Sequence, residues 1–338
     1  MHYRLVFLGF GNVGKELAKL LLKKREELKK HYDITYSVNG IATATHGVAI
    51  DLDGLDLDRA LRAPDLSRLS AHQFSGDAFE FLHQCKGDVL FENTPVNYDT
   101  GQPAVDHLRT GLELGMHAIT ANKGPVVHAY RRLRNLAAEN GVHFYFESTV
   151  MDGAPIFSLF REALPGANLL SLRGILNSTT NMILTLMERG ESFEQAVAYC
   201  QSIGIAETDP SGDIDGWDAA VKVAALVTVL MDFPFKPQQV RRQGIRELTP
   251  QDISRAEKDG KRWKLVCSAC KEGETVDAYV RPEQLEPSSP LFSVDGTTSV
   301  VQFKTDVLGD LSVIEADPGP HTTAYGLYAD FLNSVRKQ

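Results

Sequence analysis

The chain has 338 residues, 43% hydrophobic and 23% charged, which is ordinary for a soluble globular protein and enough apolar material for two domains with cores of their own. Its 44 acidic residues exceed its 35 basic ones for a net charge of −9, and the basic residues gather nowhere except at 23–30, so nucleic acid is not expected as a partner. The start, MHYRLVFLGFGNVG, has no signal-peptide layout, and no apolar run is long enough to cross a membrane; a cytoplasmic protein with no membrane partner is expected.

In chain order, residues 3–8 form an apolar strand that runs into Gly9-Phe-Gly11-Asn-Val-Gly14, followed by a helix with Val13, Leu17, Leu20 and Leu21 on one stripe. The run KKREELKK at 23–30 interleaves Glu26 and Glu27 and reads as the solvated end of that helix. Further strands are expected at 34–42, 89–92, 117–120 and 142–146, with helices at 105–114 and 126–140 and an excursion from the pattern at 51–76. Alternation of this kind predicts an α/β, Rossmann-type doubly wound parallel sheet.

After Val150 the pattern changes: a helix at 154–164, a strand at 169–177, and helices at 182–188 and 193–203. Residues 244–301 are rich in strand-like runs, IRELT, WKLVCSA, TVDAYV and SVVQF, bounded by Gly, Pro and Ser. The final TTAYGLYADFLNSV reads as a helix folding back on the first domain. The expected organisation is a dinucleotide-binding domain, 1–130 with 305–338, and a second α+β domain, 131–304, for substrate binding, catalysis and dimerisation. Of four cysteines, Cys267 and Cys270 form a Cys-x-x-Cys pair with no second pair at zinc-ligand spacing, and its strand-and-hairpin setting differs from the helix N-terminus of a redox motif.

GFGNVG follows a strand and opens a helix, the setting in which Gly-x-Gly-x-x-Gly binds a dinucleotide. Gly9 makes the tight turn, Gly11 lets a pyrophosphate approach the backbone, Gly14 allows close packing, and the first helical residues, Asn12 and Val13, offer amides to phosphate. At the end of the second strand, Ile41-Ala-Thr43-Ala-Thr45-His46 holds neither an acid for a ribose nor an arginine for an extra phosphate, which leaves NAD and NADP both open. FENTPVN, with Asn93, Thr94 and Pro95, and ITANKGPVV, with Asn122 and Lys123, end sheet strands on the ligand-binding side.

The segment ETDPSGDIDGWDAAVK gathers Glu207, Asp209, Asp213, Asp215, Asp218 and Lys222 before an almost wholly apolar helix. Asp218 and Lys222 are one turn apart and share a face, while the Ala and Val residues around them leave few faces for water. Charges kept inside a protein often manage a reacting substrate; the competing reading is an ordinary surface ion pair.

Taken in order, GFGNVG, ENTP, TANKG, FESTVMDGAP, LNSTTNMIL and ETDPSGDIDGWDAAVK resemble homoserine dehydrogenase of the short kind without a C-terminal regulatory domain. The resemblance implies reversible hydride transfer between L-homoserine and L-aspartate 4-semialdehyde with NAD or NADP, in threonine and methionine biosynthesis. It implies Lys222 and Asp218 nearest the reacting carbonyl, with Lys123 as a second active-site lysine. Glu207 and Asp213 would hold the substrate amino group and Thr179 would contact substrate. Gly9, Gly11, Asn12, Val13, Gly14, Thr94, Lys123 and Gly319 would contact the cofactor. Glu147, with the backbone carbonyls of Val150, Asp152 and Ala154, would hold a monovalent cation, Na+ or K+. A homodimer or homotetramer is expected. Ser178 stands where the family usually has glycine, and Glu315 and Asp317 also replace glycines. Readings that compete are a related oxidoreductase acting on another amino or hydroxy acid and a non-catalytic dinucleotide-binding module.

Overall fold

The computed structural model describes residues 1–70 and 73–336 and divides into two compact units, Met1–Pro155 with Gly319–Gln338, and Ile156–Pro318.

The first unit opens with strand β1 (His2–Leu8), whose last four residues are buried on both faces, as suits a central strand of a parallel sheet. Helix α1 (Asn12–Tyr32) follows and buries Gly14, Leu17, Ala18, Leu21 and Leu28, while residues 23 and 25–27 are exposed. Lys29, Lys30 and His31 in its last turn complement the negative end of the helix. Strands β2 (Thr35–Ala42) and β3 (Val48–Ile50) lead to helices α2 (Leu57–Arg62) and α3 (Ala78–Cys85). Then come β4 (Val89–Glu92), α4 (Ala104–Glu113), β5 (His117–Thr120), α5 (Lys123–Glu139) and a two-residue β6 (Phe144–Tyr145). The strand order is β3-β2-β1-β4-β5-β6, parallel except for β3. The chain therefore leaves β1 in one direction and returns to β4 in the other, which makes the β1/β4 boundary the topological switch point. The excursion at 51–76 holds α2 and a short 3-10 turn, Leu66–Leu69, within turns and irregular chain; Ala71 and His72 lie outside the described residues.

The second unit carries β7 (Leu169–Ile175), α6 (Ser178–Glu188), α7 (Phe193–Ser202), α8 (Ser211–Ile214) and α9 (Trp217–Leu230). After these come β8 (Arg241–Arg242), α10 (Pro250–Lys258) and four longer strands, β9 (Arg262–Glu272), β10 (Thr275–Leu285), β11 (Ser299–Thr305) and β12 (Gly309–Glu315). Their sheet has the order β12-β11-β7-β9-β10-β8 and is antiparallel apart from the β10/β8 pair. Helix α9 buries Ala219–Val221 and every residue from Val223 to Thr228. It is an interior helix, as its composition predicts.

The Rossmann-type α/β reading holds, with differences at particular elements. IRELT is not a strand: Thr249 and Asp252 form a reciprocal cap with Pro250 at the first helical position, a helix start that overrides the β-forming residues before it. The helix expected at 154–164 shrinks to a π-turn at Leu159–Ala163 with two helical residues before it. The units divide at Pro155/Ile156 and Pro318/Gly319 instead of 130/131 and 304/305. Pairing explains the shift, since β6 extends the first sheet beside β5 and β12 the second beside β11; Lys337 and Gln338 lie outside the described residues. Cys267 and Cys270 both lie on β9 three positions apart, so they point to opposite faces of the sheet.

The C-terminal helix (Pro320–Val335) returns to the first unit and closes its core. Phe331 is fully buried with ring centroids 6.2 Å from both Tyr3 and Phe91. The Tyr3 hydroxyl donates to Val335 O at 3.2 Å, and the buried Asp330 carboxylate accepts the Glu147 amide at 2.7 Å. Phe331→Ala should therefore cost about 3–5 kcal/mol. Urea unfolding monitored by circular dichroism measures this, and a loss below about 1 kcal/mol would show that the helix is peripheral to the core.

Candidate active site

The candidate site residues fall into two groups, one in each unit. In the first unit, the glycine turn lies at the carboxyl end of β1. Gly9 has φ +90, and a Cβ there would sit 2.4 Å from Asn93 O; a Cβ on Gly14 would sit 2.8 Å from Gly9 O. Both are closed to any side chain by neighbouring backbone. Around Gly11 a Cβ would meet nothing within 4 Å. Gly11 caps α1 without a side-chain hydrogen bond, and the first turn holds no acidic residue. Amides and the positive end of the helix dipole thus face open space, the arrangement a pyrophosphate requires. Asn12 is exposed on that turn, whereas Val13 is half-buried and packs on the core.

At the end of β4, Glu92 is fully buried. It accepts from the Thr94 hydroxyl, from the Thr94 amide at 3.2 Å and from the Thr120 hydroxyl at 3.0 Å, with His107 Nδ1 3.6 Å away. Thr94 is thereby held by its side chain. Asn122 donates to Thr94 O at 3.1 Å and caps α5 by accepting from Gly124 N at 2.9 Å. Lys123 is the first residue of that helix and half-buried, a more constrained place than a loop. Gly319 caps the C-terminal helix, and its amide donates to the Thr322 hydroxyl at 2.8 Å. Glu147, Val150, Asp152 and Ala154 share one segment, in which Ala154 N donates to Met151 O at 2.8 Å and Asp152 takes a left-handed φ of +38. A Cβ on Gly326 of the C-terminal helix would lie 2.8 Å from Asp152 O, so this segment and that helix are in close backbone approach.

In the second unit, the acidic segment is sorted by its local structure. Asp209 accepts from Ser211 N at 3.1 Å, shaping the turn into α8. Asp215 accepts from Arg246 at 3.0 Å, and Arg242 stacks 4.0 Å over the Trp217 ring while donating to Asp215 O. These two acids fasten the loop. Asp213, on α8, and Asp218, in the first turn of α9, turn inward instead. Asn177 Nδ2 donates to Asp213 Oδ1 at 2.6 Å and to Asp218 Oδ2 at 3.1 Å. Lys222 Nζ donates to Leu176 O at 2.7 Å and lies 3.3 Å from Asp218 Oδ2. With side chains only 16% and 13% exposed, Lys222 and Asp218 are not an ordinary surface pair. Lys222 sits between oxygen acceptors and not in the apolar setting that composition suggests.

Burial raises the pKa of Asp213, and the nearby Asp218 raises it further. The hydrogen bond from Asn177 and the charge of Lys222 pull it back. Thr179 is buried, and its hydroxyl donates to Ile205 O at 2.9 Å. Glu207 is exposed, and its backbone carbonyl accepts from Gln201 at 3.2 Å. The Cys267 thiol is pushed up to about 12 by burial, which suits an inert core residue.

Sequence reasoning missed Asn177, Leu176 O and Glu92 as site-shaping groups. Asn before Ser-Thr-Thr is a helix-cap signal that could have marked Asn177, and an acid ending the apolar run VLFE could have marked Glu92.

The chain is similar to known proteins over nearly its whole length. A family model described as homoserine dehydrogenase matches residues 155–332, and another, described as the NAD-binding domain of homoserine dehydrogenase, matches residues 9–147. The homoserine dehydrogenase of Methanocaldococcus jannaschii is 37% identical and the match covers 98% of this chain and 99% of that protein. An NAD(+)-dependent homoserine dehydrogenase of Pseudomonas canavaninivorans is 34% identical, with 99% and 98% covered. A solved structure of a hyperthermophilic archaeal homoserine dehydrogenase in complex with NADPH superposes with a TM-score of 0.83 at 29% identity, covering 99% of this chain and 98% of that one. These likenesses run through both units, and the chain accordingly belongs to the homoserine dehydrogenase family, NAD(P)-dependent oxidoreductases acting on a CH–OH group.

Proposed function

We propose that Asp213, Asp218 and Lys222 handle the amino-acid substrate while this chain interconverts L-homoserine and L-aspartate 4-semialdehyde with NAD or NADP. The observation that carries this is the placing of the Lys222 ammonium, 2.7 Å from Leu176 O and 3.3 Å from Asp218, on the same buried helix start that Asn177 ties to Asp213.

The bound nicotinamide supplies or takes the hydride. What remains is work for side chains. On reduction, negative charge develops on the aldehyde oxygen, and Lys222 is the cation that meets it and passes a proton to it. Asp218 keeps that ammonium oriented, and in the reverse direction Lys222 accepts the hydroxyl proton. Asp213, partly out of water and beside a second carboxylate, gains most from a substrate ammonium, with Glu207 and the Thr179 hydroxyl completing the grip. Lys123 serves as a second cation at the carbonyl. Amides of Asn12, Val13 and Gly14 hold the pyrophosphate over Gly11, with Thr94 and Gly319 as further cofactor contacts. A homodimer or homotetramer is proposed through the second unit, supported by Ile314 on edge strand β12 being 64% exposed and by exposed Val307 and Leu308 beside it.

Gly11→Ala should fold normally, since nothing lies within 4 Å of its Cβ, yet raise KM for the cofactor by about tenfold or more, roughly 1.4 kcal/mol. An unchanged cofactor KM in steady-state kinetics would remove Gly11 from the pyrophosphate site. Lys222→Ala should lower kcat by a factor of order a hundred with cofactor affinity retained; near-normal turnover sinks the role of Lys222. In the same assays, kcat/KM should fall on the acid side at a pH above the ordinary carboxylate range of about 4, because Asp213 grips an ammonium only when ionised. Asp213→Asn should raise KM for homoserine and abolish that limb, whereas a limb that persists belongs to another group. Light scattering of the purified 37.3 kDa chain should give two or four chain masses, and a monomer would end the oligomer proposal.

A further inference from the structure

Lys264, on β9, is the largest charged side chain in the core, with no exposed surface. A buried ammonium is costly unless each N–H finds an acceptor, and this one reaches three: Val294 O at 2.6 Å, Asn181 Oδ1 at 3.2 Å and Asp295 Oδ1 at 3.5 Å. Burial and the neighbouring Arg262 push its pKa down, while Glu188 and Asp295 act in the opposite sense.

Fastening the segment before β11 to α6 does not require this charge. Asn181 Nδ2 donates to Gly296 O at 3.0 Å and Thr298 O at 3.3 Å, and Gly296 N donates to the Thr185 hydroxyl at 3.1 Å. What the cation adds is direction. It draws Asn181 Oδ1 to one side, so the amide nitrogen must face the segment, and the rotation of α6 is thereby set. Asn181 lies four residues after Asn177 on the same helix face, and its amide donates to Asn177 O at 3.2 Å.

We propose that Lys264 is a positioning residue for the substrate site: through Asn181 it fixes the rotation of α6 and so holds the Asn177 carboxamide between Asp213 and Asp218. This rests on the reading of Asp213, Asp218 and Lys222 as the substrate-handling group. Lys264 has no surface to offer a substrate, so its effect reaches the reaction through α6.

The test compares variants in steady-state kinetics across pH, with thermal unfolding in parallel. The titratable groups facing Asp213 are Asp218, Lys222 and the Cys200 thiol of α7, which burial raises to about 11 and so keeps neutral, and losing the Asn177 hydrogen bond should move the acid limb of kcat/KM upward. Lys264→Met should lower kcat/KM for homoserine by roughly tenfold to a hundredfold, shift that limb in the same direction as Asn177→Ala, and leave KM for the cofactor unchanged. Asn181→Ala, which cuts the link from the helix side, should reproduce the shift and serves in place of Lys264→Met if the latter does not fold. Thr185→Val, which breaks the same segment's fastening further along α6, should lower the unfolding midpoint without moving the limb. If Lys264→Met or Asn181→Ala behaves like Thr185→Val, the lysine is merely structural and the proposal is overturned. If Asn177→Ala is itself without effect, it is the substrate-site reading that falls.

Discussion

The Asn177 carboxamide uses both of its ends. Its oxygen caps α6 by accepting from Thr180 N at 2.9 Å and the Thr180 hydroxyl at 2.8 Å, while its nitrogen reaches Asp213 at 2.6 Å and Asp218 at 3.1 Å. A group so committed cannot turn without leaving several buried partners short, at about 1–3 kcal/mol for each. The start of α6, the short α8 and the start of α9 are therefore one mechanical unit. Leu176, one residue earlier, supplies the carbonyl that holds Lys222, so the same backbone turn that places the carboxamide also places the ammonium.

This crosslink lets two carboxylates coexist. Asp213 and Asp218 repel one another, and burial removes the water that would screen them. Lys222 offsets part of that charge and the Asn177 N–H groups offset more. Burial first, and the repulsion left uncancelled second, raise the pKa of Asp213. A site left with surplus negative charge at one end and a fixed ammonium at the other suits a substrate with an amino group and a developing oxyanion. The outer acids give the contrast: the Asp209 carboxylate is satisfied by a turn amide and that of Asp215 by Arg246, and they have no charge to spare.

The sequence made the first unit largely legible because its signals are local. Strands 89–92 and 117–120 are short apolar runs between polar breaks and match β4 and β5 to the residue. The i, i+4 spacing of Asp218 and Lys222 likewise predicts the shared face on which they stand 3.3 Å apart. IRELT misled because a capping signal lies in its last residue and the three that follow. Asn177 was not legible as part of the site because its partners lie 36 and 41 residues away, a distance that no periodicity spans. Lys264 was hidden for the same reason: its tertiary acceptors, Asn181, Val294 and Asp295, make burial tolerable, and none of them is near it in sequence.

The glycine turn shows why a motif match and a physical explanation differ. All three glycines satisfy one pattern, yet two of them answer to the protein's own backbone: Gly9 to Asn93 and Gly14 to Gly9. Any side chain at either position would push β1, β4 and α1 apart, whatever the unit binds. Gly11 has no such neighbour, so packing gives no reason for glycine there, and the proposed pyrophosphate contact would supply one. Glu92 extends the argument to the adjacent loop, since its buried carboxylate fixes Thr94 and Thr120 from beneath. The open space over Gly11 is thus bordered by backbone that is already held in place, which would lower the ordering cost of cofactor binding at the proposed site.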